Sequence, residues 1–570
     1  MLDNFSILNM FKRIIKNINK KEKIFLFFLV PATLTSSFFE IISIASLLPL
    51  LELLFNSTEK SSYLINFNYL DFLNIKNEKL FFTITFIIII FISIIIKIAL
   101  NIFTNYVGTR VGHSIITKTH KITIFQNYDY FLDSHSSRFT SNLEKSSNTH
   151  AFVEHFLQIV VGIILLFSIL IFTLTISFKI LLILFLLIGL LYFCITIITK
   201  KFNEKISAKY NFEIENRLKI VNETFFNIKQ IIIGRLHSYF LRQFINSNLR
   251  FMKSILKNTL VANIPGNIIV FFGISSLSIV MYLFSEKDIP VENSIALFGA
   301  IIFAFQKILS QSQIIYSNYV KIKFTKNSAV DVLKIFEIEK FGQEKFSEES
   351  ISFDKNIEIK NGFYKYKNSK VNIFENLNLN IKKGDSVFIE GDSGKGKTSL
   401  LNILSGLTNL TKGEVLIDNR LLNENVVLSW FEKIFYLSQN PHLFDDTIEA
   451  NVVLNNEIID QVKLKESLNI SGLEKFIEQG KLDKEKNIGE SGKRISGGQR
   501  QRIIIARAIY ANKNVLIFDE ATNALDEKSE EEIFEKLINY FKNKTLIVVS
   551  HNVALSKKFN QVINLNDLQK

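Results

Sequence analysis

Cysteine occurs once, as Cys194, proline five times and tryptophan once in 570 residues. A single cysteine inside an apolar run excludes a disulfide within the chain and any cysteine-built metal centre, and its thiol is read as packing. The basic N-terminal segment, with Lys12, Arg13, Lys16, Lys20, Lys21 and Lys23, precedes an apolar run too long for a secretion signal and lacks a small-residue cleavage site. The first apolar segment is therefore expected to stay in the membrane. Acidic residues (54) are outnumbered by basic ones (67), a net charge of +13 that a nucleic-acid binder could also carry, so its distribution has to decide. No internal repeat or low-complexity tail is found.

Apolar residues are abundant instead. They make up 48 % of the chain, and the mean hydropathy of +0.22 points to a membrane class. Six runs have the roughly twenty residues a bilayer span needs: 24–55, 80–103, 156–178, 180–199, 260–284 and 294–317. The basic residues collect before the first run, between the second and third (Arg110, Lys118, Lys121, Arg138, Lys145), and between the fourth and fifth (Lys200 to Arg250). By the positive-inside rule these segments and both termini are cytoplasmic, and the charge is explained without a nucleic-acid partner. The two long basic connections contain no proline and keep apolar residues at helical spacing, so each is expected as a pair of helices leaving the membrane and turning back near 128–133 and 224–229. The expected organisation is a membrane domain over 1–325, a linker over 326–350 and a soluble α/β domain over 351–570.

The soluble part holds the chemistry. Gly391, Asp392, Ser393, Gly394, Lys395, Gly396, Lys397 and Thr398 have the form G-x-x-x-x-G-K-[ST], with Ser399 next, between an apolar strand and a helix. Such a loop turns its N–H groups and a helix N-terminus towards a polyanion. Lys397 is expected to reach the β- and γ-phosphates of ATP, and the Thr398 hydroxyl to bind Mg²⁺. A second phosphate-facing loop, Ile495, Ser496, Gly497, Gly498 and Gln499, opens another helix. Val515 to Glu520 reads as an apolar strand ending in two carboxylates, Asp519 for the metal and Glu520 for the attacking water.

The 495–499 pentapeptide resembles the LSGGQ signature of ABC-type ATPases, with Ile for Leu, and the chain is similar to exporter-type half-transporters over nearly its whole length. The resemblance implies an all-α six-helix transmembrane domain joined to an α/β P-loop nucleotide-binding domain. It implies ATP and Mg²⁺ as cofactors and a dimer, of two identical chains or with a paired second chain, in which Ser496 and Gly498 act on the nucleotide held by the other subunit. It also implies Gln439 as the Q-loop glutamine, Asp526 as the D-loop aspartate, His551 as the switch histidine and Tyr366 as the aromatic under adenine. Asn523, where Ser is usual, and Asn552, where Arg is common, depart from the pattern without removing a catalytic group.

Among bacterial half-transporters the chain most resembles the PglK-type flippases of polyprenyl-diphosphate-linked oligosaccharides, through the segments around Glu40, 63–73 and 376–384. The resemblance implies a multi-pass protein of the bacterial inner membrane that flips a lipid-linked saccharide. Lys307, inside the sixth run, is the candidate contact for a diphosphate, the other reading being a lysine that snorkels to the interface. Glu40 and Lys97 are read as structural partners, and 63–73 as a membrane-surface helix or a packed connection. An exporter of other lipids, drugs or peptides, and an ATP-gated regulator or channel, are the alternatives in function.

Overall fold

The computed structural model describes residues 6–55, 78–132, 136–176, 178–285, 291–338, 349–367, 369, 371–439, 442–454 and 458–567. The segment 63–73 lies outside them. By compactness the chain divides into two units, Met1–Ile124 with Ser134–Glu339, and Phe125–Asp133 with Lys340–Lys570.

The first unit is helical throughout. Its elements are α1 (Ile7–Lys16), α2 (Lys20–Ala45), α3 (Leu47–Phe55) and α4 (Glu78–Ile124); beyond α5 (Tyr128–Leu132), which groups with the other unit, come α6 (Ser136–Ile176), α7 (Phe178–Phe226), α8 (Ile228–Ile233), α9 (His237–Ser285) and α10 (Val291–Glu337). Among the described residues five stretches are long and apolar enough to cross a membrane: Lys20–Phe55, Lys79–Ile124, Arg138–Leu174, His237–Ile279 and Phe298–Glu337. The run 180–199 lies in α7, where the side chains of 178–184 and 187 fall outside the described residues.

The first apolar run, expected as one span, is two helices. α2 ends at Ala45 and α3 starts at Leu47, with Pro49 in its first turn. A proline has no N–H and its ring crowds the carbonyl four residues back, here that of Ala45, which is where the helix stops. α10 stays helical to Glu337 and buries Ala329, Val330, Val332 and Leu333 in a cluster with Val107, Phe152 and Ile322. Polar ties hold the polar ends of the long helices together. Lys145 of α6 pairs with Glu215 of α7 at 2.5 Å and Asp331 of α10 at 2.9 Å, and buried Glu213 of α7 takes Arg250 and Ser247 of α9 at 2.5 and 2.8 Å.

The second unit has two sheets. An antiparallel sheet runs in the order β2 (Phe374–Lys382), β1 (Asn356–Tyr364), β4 (Lys412–Ile417), β5 (Arg420–Leu421). A parallel sheet runs β6 (Ile434–Leu437), β7 (Val515–Asp519), β8 (Thr545–Val549), β3 (Ser386–Glu390), β9 (Gln561–Asn564). Strands β7 and β8 are buried at every position, as expected of a parallel sheet covered on both faces. The register pairs Asp519 with Val549 and Ile389 with Val549, so the carboxyl ends of β3, β7 and β8 fall in one row. In open α/β sheets that row is where ligands bind.

Candidate functional site

Three consecutive strand ends present the motif residues side by side. After β3 the chain turns through Gly391 to Gly396 and enters the helix Lys397–Leu404. Gly394 and Gly396 take φ of +84° and +88°, and a Cβ on Gly396 would fall 2.4 Å from Ile373, so only glycine fits there. Within the loop, Lys395 N–H donates to Asp392 O at 3.3 Å and Asp392 N–H to Asn566 Oδ1 at 3.5 Å. The Lys397 ammonium arches back over the loop to donate to Gly391 O at 2.7 Å. Tyr366 and Ser399 share a hydrogen bond of 2.9 Å, which fixes the half-exposed tyrosine ring beside the first turn of the helix.

The Thr398 hydroxyl donates to Asp519 Oδ1 at 3.2 Å and the Tyr436 hydroxyl to Asp519 Oδ2 at 3.1 Å. Burial pushes the Asp519 carboxyl above the usual carboxylate range, with the Thr398 and Tyr436 hydroxyls opposing it. Burial, and then the Asp519 charge, push the Tyr436 phenol far above its ordinary value, so it stays a donor. A buried carboxylate beside a hydroxyl is a set of hard oxygen donors of the kind magnesium takes when phosphates complete its shell. The donor set and the glycine cradle therefore fit Mg²⁺ and a nucleoside polyphosphate.

Glu520 is the centre of a second cluster. It is 9 % exposed, and its backbone sits at φ +51° just past the strand, a strained position for a residue with a side chain. Its Oε2 accepts from Gln439 Nε2 at 2.7 Å and Asn523 Nδ2 at 3.1 Å, and His551 Nε2 lies 3.0 Å away. Glu520, His551 and Gln439 are thus brought together. Asn523 and Tyr436 join the site without having been picked out as contributors from the sequence. For Tyr436 the usable signal was its place two residues before Ser438 on the strand that precedes Gln439.

The loops that follow β7 and β8 are tied behind this cluster by Glu530. Its carboxylate, 5 % exposed, accepts from Thr522 Oγ1 at 2.5 Å, Ser550 Oγ at 2.9 Å and Asn552 Nδ2 at 3.3 Å. Sequence inspection passed over Glu530 because it sits in a helix dense with exposed acids.

The signature residues are ordered by their own helix. Ser496 caps Gly497–Ala511, with Gln499 N–H donating to Ser496 Oγ at 3.2 Å and Ser496 N–H to Gln499 Oε1 at 2.9 Å. Gly497 and Gly498 lie against Ala524, whose N–H donates to Gln501 at 3.0 Å. Asp526 caps the next helix by accepting from Ser529 N–H at 3.0 Å, and the Ser529 hydroxyl, with that N–H second, holds its carboxyl below the usual range.

Lys307 lies in the other unit. Its ammonium is 3.9 Å from Glu40 Oε1, the oxygen that also takes Lys97 at 2.7 Å, so it belongs to a three-residue ion cluster.

The sequence profile of the ABC transporter family matches residues 374–523, and that of the ABC transporter transmembrane region matches residues 24–313. The chain belongs to the ABC transporters. It is a half-transporter, with one transmembrane region and one ATPase domain. The ATP-dependent lipid A-core flippase of Escherichia coli K12 is 34 % identical over 212 residues, 37 % of this chain and 36 % of that protein, and the Shigella flexneri flippase of the same description matches equally. The matched region thus spans little more than a third of those relatives. A bacterial Atm1-family ABC exporter solved with ATP bound is 16 % identical and superposes with a TM-score of 0.79 over 96 % of this chain and 94 % of that one, a likeness of fold.

Proposed function

We propose that this half-transporter is an ATP-driven flippase of the bacterial inner membrane that works as a dimer and moves a polyprenyl-diphosphate-linked oligosaccharide. The observation that carries the energetic half of this reading is Glu520, whose Oε2 gathers Gln439, Asn523 and His551 on the strand that also holds Asp519. That carboxylate orients and polarises the attacking water, and His551 and Gln439 hold it in position. Residues Gly391 to Ser399 would cradle the phosphates, Tyr366 would stack on the adenine, and Thr398, Asp519 and Gln439 would hold Mg²⁺. ATP with its metal supplies the transferable phosphoryl group. Ser496, Gly498 and Asp526 meet the nucleotide of the second subunit, and the basic connections keep both termini and the ATPase domain in the cytoplasm.

The substrate half rests on charge inside the membrane helices. Lys97 and Lys307 converge on a single, fully buried Glu40, one positive charge in excess. An uncompensated cation is costly there, so an anionic amphiphile is the favoured cargo, with Lys307 towards its diphosphate. A lipid A-type glycolipid is the second reading, favoured by the likeness to the Escherichia coli flippase.

Flipping in proteoliposomes tests both, with wild type beside Glu520→Gln. ATP-dependent movement of the polyprenyl-diphosphate oligosaccharide by wild type alone supports the first reading. Movement of a lipid A-type lipid instead transfers the assignment to the second. Hydrolysis without movement of either would sink the flippase proposal.

A further inference from the structure

A cavity of about 200 Å³ opens between α4, α6 and α10, and its polar lining comes from Lys97, Asn101, Thr104, Gln158 and Gln311. Gly162 of α6, in the cavity wall, lets α10 approach closely: a Cβ at that position would fall 2.9 Å from Ile315. Gln158 Nε2 donates to Asn101 Oδ1 and Asn105 Oδ1, each at 3.2 Å, which fixes two carboxamides at the rim. Gln311 is 2 % exposed, and its Nε2 is buried with no protein partner among the described residues. Lys97 closes one end, leaning on Glu40 at 2.7 Å.

Asn101 and Asn105 are exposed on α4, within the stretch long and apolar enough to cross a membrane. Amides on such a stretch are favoured where they meet partners across helices or water, and are costly against acyl chains. A drug-sized molecule takes a pocket of about 300–1,000 Å³; this one suits a single small ring. Carboxamides donate and accept at once, as sugar hydroxyls do, whereas an apolar occupant would leave the Gln311 amide without an acceptor.

We propose that this pocket receives the first sugar ring of the transported glycolipid, with Gln311 and Gln158 as the residues that tell a glycosylated lipid from its bare carrier. The proposal rests on the glycolipid reading above, and names the part of the cargo that is recognised.

The test uses the full chain in nanodiscs, in a Cys194→Ser background with Ile314→Cys lining the pocket as the site for a small maleimide. Undecaprenyl-diphosphate hexose should slow labelling about fivefold, a selectivity of roughly 1 kcal/mol, while undecaprenyl diphosphate leaves it nearly unchanged. Adding Gln311→Leu, or independently Gln158→Leu, should remove the protection. Equal protection by both lipids, or protection that survives both leucine variants, overturns the proposal. Flipping of the same hexosyl lipid is measured in parallel. A lipid that wild type flips without protecting the cysteine refutes the pocket and leaves the flippase reading standing. A lipid that is neither flipped nor protective refutes both.

Discussion

Asn523 donates its side-chain amide to Glu520 across 3.1 Å, three residues along the chain and onto the same oxygen that takes Gln439. The shorter serine more usual at this position would not span that distance with its hydroxyl. A hydrogen bond to a charged group is worth about 1.5–3 kcal/mol, with partial exposure favouring the lower end. Asn523→Ala should therefore lower ATP turnover by roughly tenfold with nucleotide affinity unchanged. Steady-state hydrolysis alongside equilibrium nucleotide binding checks it, and unchanged turnover would dismiss the contact.

Glu530 bears on stability and catalysis together. Glu530→Ala would leave the buried hydroxyls of Thr522 and Ser550 without their acceptor, at a cost of about 2–4 kcal/mol for two such groups. The ATPase domain should melt at lower temperature. Hydrolysis measured well below that melting point should still be reduced, because Thr522 follows Glu520 by two residues and Ser550 directly precedes His551. A melting shift with normal turnover would make Glu530 a purely structural residue.

The ion cluster in the membrane helices should behave non-additively. Glu40→Gln leaves Lys97 and Lys307 facing each other, and Lys97→Met leaves Glu40, among the described residues, with the 3.9 Å ion pair to Lys307 alone. Breaking a fully buried pair from one side typically costs about 3–5 kcal/mol and removing both members much less; with the Lys97 side chain 40 % exposed, the single losses here should fall below that range. A double-mutant cycle on thermal stability in detergent should return a coupling energy above about 1 kcal/mol. Additive losses would show that the pair is not coupled.

Metal binding should depend on pH through Asp519. Its carboxyl titrates above the ordinary range because it is buried, and the metal requires the deprotonated form. On acidification, protons should begin to displace Mg²⁺ at a higher pH than for an ordinary carboxylate near about 3.9. Half-saturating Mg²⁺ for nucleotide binding, followed as pH falls, should rise early in the wild type. The rise should be absent in Asp519→Asn, which binds the metal weakly at every pH.

The site was legible in the sequence wherever chemistry is contiguous. The P-loop, the signature pentapeptide and the Asp519–Glu520 pair each carry their meaning within a few residues. Contacts set by strand order were not legible. Tyr436 meets Asp519 because β6 lies beside β7 with Tyr436 paired to Ile517, and no local pattern states which strands are neighbours. Glu530 was hidden for the converse reason, since its helix pattern is ordinary and only the tertiary fold turns it under Thr522 and Ser550. In the membrane unit five of the six apolar runs fall, among the described residues, in stretches long and apolar enough to cross a membrane, while hydropathy averaged over Pro49 and gave no sign of the break after Ala45, which proline chemistry accounts for.

From Ala300 to Glu337 the last long helix contains neither glycine nor proline, and it runs unbroken past both Lys307 and Gln311. Sharp kinks in helices arise at such residues or where the hydrogen-bond ladder is interrupted, so this rod of some 57 Å has no built-in joint. A twist applied near Leu333 therefore has one continuous helix along which to reach the level of Lys307 and Gln311. Replacing Tyr319 and Lys323 with glycine would act as a clutch, loosening the rod while keeping the register of the buried Ala329, Val330, Val332 and Leu333.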